Sequence, residues 1–87
     1  VTALTASAHK FGGPAGVGVL LLKAGTKLRP QLFGGHQQRG HRPGTEPVAL
    51  AAGLAAALEH AVEHMTANTD AVRSLRAAFV GRLGGVE

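Results

Sequence analysis

The chain has no cysteine, no tryptophan and no tyrosine, and only three phenylalanines among its 87 residues. Without cysteine there is neither a disulfide framework nor a thiolate nucleophile of its own. With so few aromatics it has no stacking platform for single-stranded nucleic acid. It also has no run of adjacent lysine or arginine, so its net charge of +4 comes from cations spread between Lys10 and Arg82. Such scattered charge suits solvated faces and anion contacts in loops better than a nucleic-acid footprint. No segment reaches the roughly 18 continuous apolar residues of a membrane span, and the first residues lack the basic and apolar regions of a signal peptide.

What is present in quantity is alanine, which dominates the 45% hydrophobic fraction. Alanine buries little area, so each core position contributes little. A chain this short buries a modest share of its surface and usually needs a staple. That mismatch, the start at Val1-Thr2 and the end at Leu83-Gly84-Gly85-Val86-Glu87 all read as an internal piece of something larger.

The pattern along the chain alternates between short extended runs and glycine-rich loops. Val1 to Ala6 reads as the end of a strand. Ser7 to Gly16, with three glycines and a proline, is expected to lack regular structure. Val17 to Leu22 is a continuous apolar run that favours a strand buried on both faces. Ala24 to Thr26 is a turn, and Leu28 to Phe33, interrupted by Pro30, is an edge or a loop. Gly34 to Gly44 is a second loop, in which four of eleven residues are glycine. It also carries His36, Gln37, Gln38, Arg39, His41 and Arg42, a density of donors found in functional loops.

A helix follows. Thr45 suits the N-cap, Glu46 the positive end of the helix dipole and Pro47 the first turn. Leu50, Leu54, Leu58, Val62 and Met65 recur at helical spacing with alanines beside them, which suggests close approach to another element. Thr66 to Thr69 is a candidate break. Val72, Leu75, Phe79 and Leu83 mark a second stripe stopped by Gly84-Gly85.

Several residues invite a chemical reading, each beside a plainer one. Lys10 follows a strand and opens into glycines, where a lysine amine can form a Schiff base; an ordinary surface lysine has the same local sequence. Ser7 and His9 offer donors to a phosphate, or are a turn serine and a solvated histidine. Thr45 at a helix start suits a phosphate, and is equally explained as a cap. The phosphate-loop pattern is absent, since no glycine-lysine pair is followed by serine or threonine. His60 and His64 share a helix face, but a zinc-protease helix needs a glutamate directly after the first histidine, and here it is Glu63. No metal site is expected, and exposed helix-face histidines account for the pair.

Two blocks taken together are more specific. Ser7-Ala8-His9-Lys10 with Phe11-Gly12-Gly13-Pro14-Ala15-Gly16-Val17-Gly18, followed by Gly34-Gly35-His36-Gln37-Gln38-Arg39-Gly40 with Arg42-Pro43-Gly44-Thr45-Glu46, resemble the cysteine desulfurases of the class V aminotransferase family. The likeness is to the type serving nitrogen fixation and iron–sulfur cluster assembly, and it covers essentially the whole chain.

The resemblance implies an α/β fold, a fragment of the large domain of a fold type I pyridoxal-phosphate enzyme. That domain has a mostly parallel sheet with one antiparallel strand, here about Val17 to Leu22. It implies large-domain residues at 1–46, a long connecting helix at 47–67 and the start of the small domain at 68–87. It implies that Lys10 holds pyridoxal 5′-phosphate covalently and moves the substrate's α proton. Ser7 and His9 would then bind the cofactor phosphate, and Thr45 would reach the phosphate held by the neighbouring subunit of a homodimer. The implied reaction converts L-cysteine to L-alanine and leaves a persulfide on an enzyme cysteine. The implied setting is cytoplasmic, with a sulfur-acceptor or scaffold protein as partner and neither nucleic acid nor membrane.

The departures are equally definite. The sulfur-accepting cysteine is absent, and in the family it lies nearer the C-terminus, as does the arginine for the substrate carboxylate. The ring-binding histidine and aspartate would precede Val1. These residues alone are therefore expected to be inactive. Two alternatives stay open: another class V enzyme, such as a selenocysteine lyase or an aminotransferase, and a small non-enzymatic module that binds anions or RNA through its two glycine loops.

Overall fold

The computed structural model describes residues 1–84. Two strands, β1 (Ala3–Ser7) and β2 (Gly18–Leu22), pair antiparallel with Ala3 opposite Leu22 and Ser7 opposite Gly18. The antiparallel sense of the strand after Lys10 matches expectation, and these two strands form the whole sheet among the described residues. The register leaves Gly18 under β1, where a Cβ would lie 2.9 Å from the Ala6 carbonyl oxygen.

The connection between the strands is more ordered than its glycines suggest. Ala8–Phe11 forms a 3-10 turn, contrary to the expectation of no regular structure from Ser7 to Gly16. The glycines lie after this turn, so they end it instead of preventing it. Gly12 closes it with φ of +86°, a conformation open to glycine at no steric cost.

β2 corrects a second expectation. Leu20, Leu21 and Leu22 are 45%, 56% and 37% exposed, so the strand is not buried on both faces. A two-stranded sheet has too few neighbours to cover an apolar run of this kind.

Residues 23–47 run without helix or strand except for a short 3-10 turn at Gln37–Gly40. Two helices follow, α1 (Val48–Glu63) and α2 (Met65–Leu83). α1 begins later than expected. Pro47, at φ −80° and ψ 79°, occupies the N-cap position, and no side chain caps the helix. Thr45 is therefore outside it. The break also falls elsewhere, at His64, while Thr66 to Thr69 are helical. Gly84 ends α2 with right-handed geometry, and Gly85 lies outside the described residues.

The half-buried residues of α1 are Leu50, Gly53, Leu54, Ala57 and Ala61, a stripe at helical spacing. α2 has no such stripe, and Val72, Leu75 and Phe79 are all exposed. The molecule measures 59 × 26 × 24 Å. Sixteen and nineteen helical residues rise about 53 Å in total. The helices must therefore run nearly end to end to fill the long dimension. No helix among the described residues is long and apolar enough to cross a membrane.

Candidate functional site

The site begins at the end of β1. Ser7 is the last residue of the strand and His9 and Lys10 belong to the turn that follows, so three donor side chains lie on one short platform. Three backbone bonds fix that platform. The Ala8 N–H donates to the Val17 carbonyl (3.2 Å), and the N–H groups of Gly12 and Gly13 both donate to the Ala8 carbonyl, the latter at 2.9 Å. Ala8 is fully buried, the only buried residue among those described, while Ser7, His9 and Lys10 are exposed.

Among the described residues the side chains of Ser7, His9, Lys10 and Thr45 make no hydrogen bond. Ser7 in particular stands at the N-cap of the turn without capping it. The platform thus presents an amine, a hydroxyl and an imidazole that the other described residues do not engage. That donor set fits a phosphorylated aldehyde cofactor: the amine can condense with a carbonyl, and the hydroxyl and ring N–H can bind phosphate oxygens.

Thr45 lies apart from this platform. It lines an open groove of about 1050 Å³ between β2 and the second loop, together with Arg39, His41 and Arg42. Ser7, His9 and Lys10 do not line that groove. The structure therefore brings three of the four expected residues together and leaves Thr45 facing a different space.

The second loop holds its shape through its glutamines. The Gly44 N–H donates to Gln37 Oε1 (3.2 Å), and Gln38 Nε2 donates to Glu46 Oε1 (2.5 Å). Arg42 donates to the Pro43 carbonyl. Gln38 and Arg39 both have positive φ, 52° and 57°, and Gly40 follows at 78°. Left-handed backbone costs about 1–2 kcal/mol for each residue with a side chain. The braces from Gln37 and Gln38 hold the ends of this strained turn, and through Gly44 and Glu46 they grip both neighbours of Thr45. The density of donors in this loop points to function, but two of those donors, Gln37 and Gln38, serve inside the loop. Their spacing from Gly44 and Glu46 carries no periodic signal that would have shown it.

His60 and His64 behave as expected from their shared face. Their rings stack at 4.1 Å, and His64 Nδ1 lies 3.0 Å from the His60 carbonyl. No group of three or more metal-ligating side chains occurs among the described residues.

A family model for class V aminotransferases matches residues 1–86. Cysteine desulfurase NifS of Azotobacter vinelandii is 48% identical over 73 residues, which are 84% of this chain and 18% of the relative. Cysteine desulfurase IscS of Dictyoglomus turgidum is 42% identical over 80 residues, 92% of this chain and 20% of the relative. A solved structure described as a NifS-like protein superimposes with a TM-score of 0.90 at 41% identity, covering 95% of this chain and 23% of that one. The chain thus spans about a fifth of the length of the relatives it matches.

Proposed function

Because the chain belongs to the class V aminotransferase family, we propose that it supplies the lysine platform of a pyridoxal-phosphate-dependent cysteine desulfurase. One observation carries this reading: Lys10 and His9 on a single braced turn, with Ser7 directly before it, stand exposed and make no side-chain hydrogen bond among the described residues. The similarity to cysteine desulfurases supports the choice of substrate.

Pyridoxal phosphate, when bound, supplies the electron sink for negative charge at the substrate's α carbon. Lys10 Nζ holds the cofactor and carries the proton to and from that carbon. Ser7 Oγ and the His9 ring N–H bind the phosphate from the end of β1 and the turn that follows it. Thr45 Oγ1, facing away from the platform, binds the phosphate held by a second copy in a homodimer. Each such bond to an ionised phosphate is worth about 1.5–3 kcal/mol. In the net reaction the Cβ–S bond of L-cysteine breaks, the sulfur passes to a thiolate to give a persulfide, and L-alanine leaves. The thiolate must come from outside these residues, which contain no cysteine. The 87 residues alone therefore do not turn over cysteine.

The test uses the protein made from the complete reading frame that contains these residues. With added pyridoxal phosphate it should release alanine from L-cysteine in step with sulfur. Lys10→Ala should lower that rate by about 10²–10⁴, the usual contribution of a positioned acid–base group. Alanine formation that survives Lys10→Ala unchanged would overturn the assignment. L-Selenocysteine run in parallel separates a desulfurase from a selenocysteine lyase.

A further inference from the structure

The turn that carries Lys10 is too short to fix its own position. It has four residues and no side-chain cap, and it makes no ion pair among the described residues. Its backbone bonds converge on Ala8, so whatever locates Ala8 locates the lysine. Ala8 is buried where the turn packs against α1. A Cβ added at Gly13 would lie 2.9 Å from the Ala8 Cβ and 3.2 Å from the Ala57 Cβ, so Ala8, Gly13 and Ala57 meet with no space between them. One helical turn earlier, a Cβ at Gly53 would lie 3.1 Å from Pro14 Cγ. α1 therefore touches the end of the lysine turn at two successive levels, and at both levels the helix offers its smallest residues. Neighbouring positions such as Ala55 and Ala56 are exposed, so the choice of small residues matters on this face alone.

We infer that Ala57, with Gly53, is a positioning residue for Lys10: their small size lets α1 seat the Ala8–Gly13 turn, and so sets where the amine stands. This deepens the proposed function and rests on it for the role of the amine, though the seating itself stands on contact geometry. A larger side chain at the half-buried position 57 crowds Gly13, and through it Ala8. The turn must then shift, and a displacement of about 1 Å in a reacting group costs about a hundredfold in rate.

The experiment compares Ala57→Leu, Ala57→Val, Gly53→Ala and the conservative Ala57→Ser with Ala56→Leu on the exposed face, all in the complete protein. Amide exchange at Gly12 and Gly13, measured without cofactor, reads the seating directly. Ala57→Leu should speed it about tenfold or more, as expected for a locally loosened segment. Circular dichroism of the bound cofactor reads its orientation and should change in the same variant. kcat should fall about tenfold to a hundredfold, with KM for cysteine moving much less. Ala56→Leu should match the parent in all readouts, and Ala57→Ser, one oxygen larger than the parent residue, should fall between the parent and Ala57→Val. If Ala57→Leu does not fold, Ala57→Val and Gly53→Ala give the same readouts at smaller size. Parent-like exchange and dichroism in the enlarged variants would overturn the inference. A parent protein that takes up no pyridoxal phosphate would instead overturn the proposed function, and the exchange measurement would still decide the seating.

Discussion

Gly12 and Gly13 are adjacent, and each is glycine for its own reason. Gly12 has φ of +86° with nothing within 4 Å of a built Cβ, so its constraint lies in the backbone alone. Gly13 has ordinary φ, and its constraint is the space taken by Ala8 and Ala57. Substitutions separate the two. Gly12→Ala should cost about 1–2 kcal/mol, and Gly12→Asn should recover much of that because asparagine tolerates left-handed backbone. At Gly13 neither should recover, since volume is the obstacle; thermal unfolding of the complete protein checks the pattern. At Thr45, removal of the hydroxyl should weaken pyridoxal phosphate about tenfold to a hundredfold, the loss of one bond to a charged group. Equilibrium dialysis of Thr45→Ala measures it, and unchanged affinity would remove Thr45 from the site. The left-handed position was legible from Gly12-Gly13-Pro14, since turns of that kind select glycine. The crowding at Gly13 was not, because its partner Ala57 belongs to another element.

At the level of elements, helical spacing located both helices, and the apolar run Val17 to Leu22 located β2. The ends were harder to read, and for identifiable reasons. Thr45 and Glu46 look like the start of a helix, yet Glu46 is engaged by Gln38 and its carbonyl accepts from the Val48 N–H. Those bonds keep the chain out of the helix until Val48. At the other end of α1, the His60 carbonyl accepts from both the backbone N–H and the ring of His64. No spacing rule anticipates such a bond. The candidate site was legible in the same uneven way: Ser7, His9 and Lys10 lie together at the end of β1 because they are neighbours in sequence, whereas the bracing of the second loop depends on side-chain contacts across it. The strained turn at Gln38 and Arg39 gives a test at this scale. Arg39→Asn should stabilise the complete protein by about 0.5–1 kcal/mol by easing left-handed backbone. A lower unfolding midpoint would mean that the Arg39 side chain itself supports the loop.

Taken whole, the chain is extended. Its radius of gyration is 18.8 Å, against about 12 Å for a compact domain of this length. Leu21, Val62 and Phe79 are among many large apolar side chains left exposed, and one alanine is the only buried residue among those described. Burial of this extent does not offset the conformational entropy of ordering the chain. The 87 residues expressed alone should therefore melt without a sharp transition and bind a hydrophobic dye; a cooperative thermal transition would contradict this. Composition already pointed the same way, since alanine supplies much of the hydrophobic fraction, but elongation follows from the end-to-end helices and could not be read from periodicity. The junction at His64 then has a mechanical consequence. α2 is a rod of 19 residues, about 28 Å long, with its near end at that junction. A difference of about 10° in the angle there would displace its far end by about 5 Å, so the backbone at His64 sets where the end of α2 lies relative to α1 and the turn that bears Lys10.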